Sequence, residues 1–275
     1  MKLAVCNEFF EGWEIERVFD YAAGIGCDGV EIAPFTLAES VHDVSSARRR
    51  DIRHAAEAAG VEIVGLHWLL VKPAGLYINH PDRQVWQRTQ DYVKALIDFC
   101  GDLGGSVMIH GSPQQRNIQE GWNADDCLAR AVELFAGCTD LMAQRGITYC
   151  IEPLTDQETN FVTGVAEALK LVEAVGHPNF QTMVDCRAAS TEAMSHPEVI
   201  ARAGSAMRHV HVNDPNLRGP GFGELQFAPI LKKLTELCYA GYVSVEVFDF
   251  EPDPETIAAG SIGYLKGILE GLVAD

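Results

Sequence analysis

The sequence predicts a single (β/α)8 barrel, with residues 1–275 forming one domain. Three observations predict it. Short apolar, β-rich runs alternate with helical stretches eight times along the chain. The runs are apolar without interruption, as strands buried on both faces of a parallel sheet are. No linker, low-complexity stretch or change of composition divides the 275 residues, a length usual for one such barrel. A doubly wound open sheet is the other arrangement of this alternation, but no GxGxxG follows the first run.

The eight strands are expected at LAVCNEF (3–9), GVEIAP (29–34), VEIVGLHWL (61–69), SVMIHG (106–111), ITYCIEP (147–153), FQTMVD (180–185), MRHVHVN (207–213) and YVSVEVF (242–248). Helical periodicity fills the intervals. It is clearest in WEIERVFDYAAGIG (13–26), ARRRDIRHAAEAAG (47–60), RQVWQRTQDYVKALIDFCGDLG (83–104) and ADDCLARAVELFAGCTDLMAQRG (124–146). Gly60, Gly104, Gly146 and Gly176 stand where helices end, the position that most favours a residue without Cβ. Eight cysteines occur without a CxxC pair, and several (Cys6, Cys150, Cys238) sit in apolar patterns, so buried reduced thiols are expected.

A barrel carries its chemistry at the C-terminal ends of its strands. Polar residues at those ends are Asn7, Glu8, Glu31, His67, His110, Glu152, Asp185, His211, Asn213 and Glu246. A polar group in a barrel strand is costly unless paired or ligated. Glu152, Asp185, His211 and Glu246 end four successive strands and lie 33, 26 and 35 residues apart. Three carboxylates and one imidazole make a cage for a hard or borderline divalent cation such as Mn²⁺, Mg²⁺ or Co²⁺.

These residues, with the motifs IEP (151–153), MVD (183–185), HVHVND (209–214), PGFGEL (220–225) and VSVEVF (243–248), resemble the xylose isomerase-like barrel superfamily. That superfamily includes ketose 3-epimerases of the tagatose/psicose type, hydroxypyruvate isomerases, inosose and 3-dehydroshikimate dehydratases, and endonuclease IV. The resemblance spans essentially the whole chain. It implies that Glu152, Asp185, His211 and Glu246 bind one divalent metal. It also implies that Glu152 and Glu246, facing each other across the barrel mouth, serve as the catalytic acid/base pair. The chemistry is coherent by itself. A cation stabilises the enediolate of an α-hydroxy ketone while two carboxylates move the proton on and off the carbon.

Further contacts to a sugar substrate are expected from Glu158, His67, His110, Arg218 and Arg187. The resemblance implies that Glu158 reaches substrate hydroxyls. Arg116 and Arg187 are the groups able to grip a carboxylate or phosphate, with a surface position the commoner explanation for both. Trp13, Trp68 and Trp122 are candidates to wall the sugar or to pack the core. Two positions depart from the tagatose/psicose epimerases, which carry His where this chain has Ala188 and Arg where it has Leu217, followed by Arg218. A more open pocket, suited to a substituted ketose, is the consequence.

The expected activity is that of a metal-dependent isomerase or epimerase of a ketose or substituted ketose. The alternative is a lyase that dehydrates a keto-inositol or a 3-dehydroshikimate-type acid with the same cage. A net charge of −18 repels a phosphate backbone, so no nucleic acid partner is expected. No apolar run approaches ~18 residues and no signal peptide is visible, so neither a membrane span nor secretion is expected. A cytoplasmic homo-oligomer, dimer or tetramer, completes the reading.

Overall fold

A computed structural model describes residues 1–274. Eight parallel strands close on themselves in sequence order: β1 (Lys2–Cys6), β2 (Gly29–Ile32), β3 (Glu62–Leu66), β4 (Val107–His110), β5 (Thr148–Ile151), β6 (Phe180–Asp185), β7 (Met207–Val212) and β8 (Tyr242–Val245). Closure is made by β1 against β8, with Leu3 opposite Val243 and Val5 opposite Val245. The helices on the outside are α1 (Ile15–Gly24), α2 (Ser46–Ala59), α3 (Arg83–Leu103), α4 (Ala124–Ala136) and α5 (Thr139–Arg145). They continue with α6 (Val165–Val175), the single turn α7 (Cys186–Ala189), α8 (His196–Ala203), α9 (Phe227–Glu236) and α10 (Pro254–Ala274). The expected (β/α)8 barrel is the fold found.

Except for β6, the strands are shorter than the apolar runs that predict them, and most of those runs continue past the strand end into the loop that carries the site. The four glycines expected to end helices do so, at α2, α3, α5 and α6, all with left-handed backbone. The helical stretch 124–146 is two helices rather than one. It breaks at Gly137, where a Cβ would stand 2.5 Å from the Gln90 amide nitrogen on α3. Gly65 has a different purpose. At φ 159° its missing Cβ lets β3 approach β4, where an added carbon would lie 1.7 Å from the Val107 carbonyl oxygen.

Two apolar layers result. Most of the core lies between strands and helices, with Phe19, Phe99, Phe135, Phe180 and Phe227 fully buried there. A smaller cluster joins Ala4, Val64, Val107, Ile109, Cys150 and Met183. Residues from five strands around a closed barrel can meet only in its interior, so this cluster is the barrel floor. Side chains alternate along a strand. Cys150 and Met183 on the floor therefore put Glu152 and Asp185, two residues later, inside and above it. Ile109 inside puts His110 outside, towards the helices. Seven of the eight cysteines are buried and all are free; Cys238 is exposed, in the turn after α9, contrary to its apolar sequence context.

Candidate metal centre and active site

The four residues of the cage converge at the C-terminal mouth of the barrel. Each of Glu152, Asp185, His211 and Glu246 offers a ligand atom within 4.8 Å of the others, and all four are buried. His211 Nδ1 lies 3.1 Å from Glu246 Oε2 and 3.6 Å from Glu152 Oε1, yet makes no hydrogen bond. Its other nitrogen, Nε2, is 3.1 Å from Glu31 Oε1, deeper in the barrel. Glu31 is fully buried, and its second oxygen lies 2.7 Å from His209 Nε2. In the neutral ring with Nε2–H directed at Glu31, the lone pair of Nδ1 would face three carboxylates, where a cation would replace a proton. A buried acceptor nitrogen aimed at three anions fits a divalent cation, and the donor set suits a hard or borderline one.

The surrounding contacts fix these four side chains. Asp185 accepts hydrogen bonds from the Ala188 N–H on Oδ1 and the Asn213 side-chain amide on Oδ2, both at 2.7 Å. Gly111, after β4, leaves room for Glu152: a Cβ there would meet Glu152 Oε2 at 2.1 Å. Arg116 is fully buried, not on the surface, and donates from Nη1 to the Glu152 backbone carbonyl at 2.7 Å. Burial lowers its guanidinium to about 10.

Proton affinities show how crowded the site is without a cation. Burial, reinforced by Glu152 and Glu246, pushes Asp185 up to about 7. Burial likewise raises Glu152, opposed by the nearby His211 ring and reinforced by Glu246. Burial alone would depress His211, but the Glu246 and Glu31 carboxylates hold it well above the usual imidazole range. Burial would raise Glu31, but His209 and His211 hold it well below the usual carboxylate range.

The other expected contacts separate into three groups. Glu158 and Arg187 line the pocket over the cage with Trp68 and Phe248. They are paired with each other at 3.0 Å, and Thr155 donates to the second Glu158 oxygen. His67 stands just inside the mouth, its Nε2 2.6 Å from Glu8 Oε2. His110 and Arg218 do not reach the pocket. The His110 ring points outward and bonds to the Tyr149 hydroxyl at 2.7 Å, and Arg218 is held at the rim by Asp249 at 2.8 Å. Trp13 packs on Phe10, Tyr21 and Arg17, and Trp122 on Tyr77 and His80, so of the three tryptophans Trp68 alone lines this pocket. His209 was not singled out by sequence, although its place two residues before His211 is the signal that puts both on one face.

The xylose isomerase-like TIM barrel family model matches residues 19–268. The chain belongs to the xylose isomerase-like TIM barrel family. A D-psicose 3-epimerase of Agrobacterium fabrum is 33% identical over 250 residues, covering 87% of this chain and 83% of its own. Among solved structures, an L-ribulose 3-epimerase superposes with a TM-score of 0.86 at 20% identity, covering 99% of this chain and 96% of its own. A D-psicose 3-epimerase crystallised in the presence of D-fructose gives 0.82 at 21% identity, covering 100% and 97%. Those two likenesses bear on the fold. The expectation of an enzyme of the sugar isomerase/epimerase class agrees with these relatives. Among the described residues, no helix is long and apolar enough to cross a membrane.

Proposed function

We propose that the protein is a divalent-metal-dependent epimerase that inverts the carbon next to the carbonyl of a ketose or substituted ketose. The observation that carries this reading is His211 Nδ1, buried, unbonded and turned to Glu152, Asp185 and Glu246. Those four residues would hold the cation, for which Mn²⁺ is our choice and Mg²⁺ or Co²⁺ the alternatives. A bound divalent cation would polarise the ketose carbonyl and stabilise the enediolate. Glu152 and Glu246, the residues just past β5 and β8, would approach the reacting carbon from opposite sides. One removes the proton and the other returns it to the opposite face, which inverts the centre. Glu158, held by Thr155 and Arg187, would accept from a substrate hydroxyl. The ring of Trp68, 6.2 Å from that of Phe248, offers an apolar wall to the sugar.

The surroundings of four residues bear on the choice of substrate. Ala188 is buried and uses its N–H on Asp185, and Leu217 lies at the rim with its carbonyl accepting from the Phe248 and Asp249 N–H groups. Neither offers a polar side chain to the sugar, which supports a substituted ketose over a free hexulose. Arg187 is committed to Glu158 and Arg116 to a backbone carbonyl. Arg116 is fully buried and does not line the pocket, and Arg187 is already neutralised by Glu158, which disfavours a dehydroshikimate-type lyase. Buried free thiols support a reducing cytoplasm, and a dimer or tetramer is the assembly we infer.

Product analysis of the Mn²⁺-loaded protein with free ketoses and their substituted derivatives tests this reading. Stereochemical inversion next to the carbonyl, abolished by chelation, is expected. Full activity after rigorous chelation, or an enone product, would overturn it.

A further inference from the structure

Beside the cage, where β1, β2 and β3 adjoin, a second group of ligating side chains meets inside the barrel. Cys6 ends β1, Glu31 lies in β2 and His67 follows β3. Cys6 and Glu31 are ladder partners. Ala4 belongs to the barrel floor, so Cys6, two residues on, also faces inward. The Cys6 thiol, the Glu31 carboxylate and the His67 ring each offer a ligand atom within 4.8 Å of the others. His67 is 1% exposed and the other two are fully buried, so the group is closed to solvent. Neither Cys6 nor His67 has a part in the mechanism above.

His67 is the member with an open valence. Its Nε2 is engaged by Glu8 at 2.6 Å, but its Nδ1 is buried with no hydrogen bond. Glu31 Oε1 lies 3.8 Å from Nδ1, too far to accept from it. A buried ring nitrogen left bare is costly, and so is a proton on it without an acceptor. A cation placed among the three groups removes the cost. Zinc, with bonds of about 2.0–2.3 Å, holds tetrahedral ligand atoms about 3.5 Å apart, close to the separation found between Nδ1 and Oε1.

We propose that Cys6, Glu31 and His67 form a second metal site, separate from the cage, and that it takes a zinc ion. Thiolate, imidazole and carboxylate are the ligand types of protein-bound zinc, and the sulfur selects against the harder Mn²⁺ and Mg²⁺ that suit the cage. On binding, the sulfur–metal bond forms as the thiol gives up its proton to solvent. Because the group is closed off, the ion serves the structure and not the reaction. It ties three neighbouring strands together and anchors Glu31, which in turn contacts His209 and His211. The inference is independent of the ketose reading.

Cobalt is the probe, since it substitutes for zinc and gives a bound thiolate a near-ultraviolet charge-transfer band. The protein is produced in cobalt-supplemented medium, dialysed free of loose metal, and read by absorption and by elemental analysis. The wild type should show the sulfur-to-cobalt band. Cys6→Ser should lose the band and carry less cobalt per chain, while keeping the ion of the cage. Should Cys6→Ser fail to fold, His67→Asn decides, and should weaken the band and lower the cobalt content. The absence of a band in the wild type would show that Cys6 keeps its proton beside His67 and would overturn the proposal. A band that survives in Cys6→Ser belongs to another thiol, such as the exposed Cys238, and would overturn it as well. So would an unchanged cobalt content in the variants. An empty cage or a protein inactive on ketoses leaves the sulfur band untouched, so failure of the epimerase reading is seen separately.

Discussion

In the proposed mechanism Glu152 and Glu246 have two roles at once, as ligands and as proton carriers. Glutamine at either position keeps an oxygen ligand and removes the base. Glu152→Gln and Glu246→Gln should each reduce turnover by about 10²-fold or more, the usual scale for general acid–base catalysis. Steady-state kinetics at matched metal occupancy checks this, and near-wild-type turnover in both variants would contradict the two-carboxylate mechanism. Glu31 acts one step further back. It fixes which nitrogen of His211 carries the proton, and loss of such an outer partner typically costs about 10–100-fold in metal affinity. Glu31→Ala should weaken Mn²⁺ binding on that scale by calorimetry, with Glu31→Gln recovering part of it because its amide oxygen still accepts. Unchanged affinity in Glu31→Ala would show that the His211 ring is held by packing alone.

The strands set which side chains meet, and here sequence and structure divide. The four cage residues were legible because each follows an apolar run at a strand end, and because the spacing repeats. The outward turn of His110 was not. Met108 and Ile109 are equally apolar and equally buried, so nothing in the composition of β4 tells its inner face from its outer one. Arg116 was illegible for a related reason: a loop arginine is ordinarily solvated, and only the fold reveals that its guanidinium lies under Glu152. The break between α4 and α5 depends on the close approach of α3, which no local propensity reports. The end of β4 also yields a prediction. Gly111→Ala places a methyl group against the Glu152 carboxylate, so metal affinity should fall while the circular dichroism spectrum stays that of the barrel. Wild-type affinity in that variant would show that the Glu152 side chain has room to move.

At the scale of the whole molecule, the cage without its cation is a cluster of reluctant charges, and this links stability to pH. Asp185 keeps its proton up to about 7, against an ordinary aspartate value of 3.8, so the native state binds more protons than the unfolded chain in between. His211, held well above 6.5, extends the effect to higher pH. Stability of the metal-free protein should therefore fall as pH rises from about 4 through 7. Glu31 works in the opposite sense, but its contribution is lost only below an ordinary glutamate value of 4.5. A bound cation removes the penalty, and at 100 times its Kd adds about 2.7 kcal/mol of stability. Thermal melts with Mn²⁺ and with chelator across that pH range should diverge as pH rises; parallel curves would contradict the cage. The central claim, that the cage and its two glutamates exchange a carbon-bound proton, is tested most directly by incubating the Mn²⁺-loaded protein with a turned-over ketose in D₂O. Solvent deuterium should appear at the carbon next to the carbonyl, in both epimers, and should vanish on chelation and in Glu246→Gln. Epimerisation without deuterium incorporation in the wild type, or incorporation that survives removal of the metal, would contradict the account.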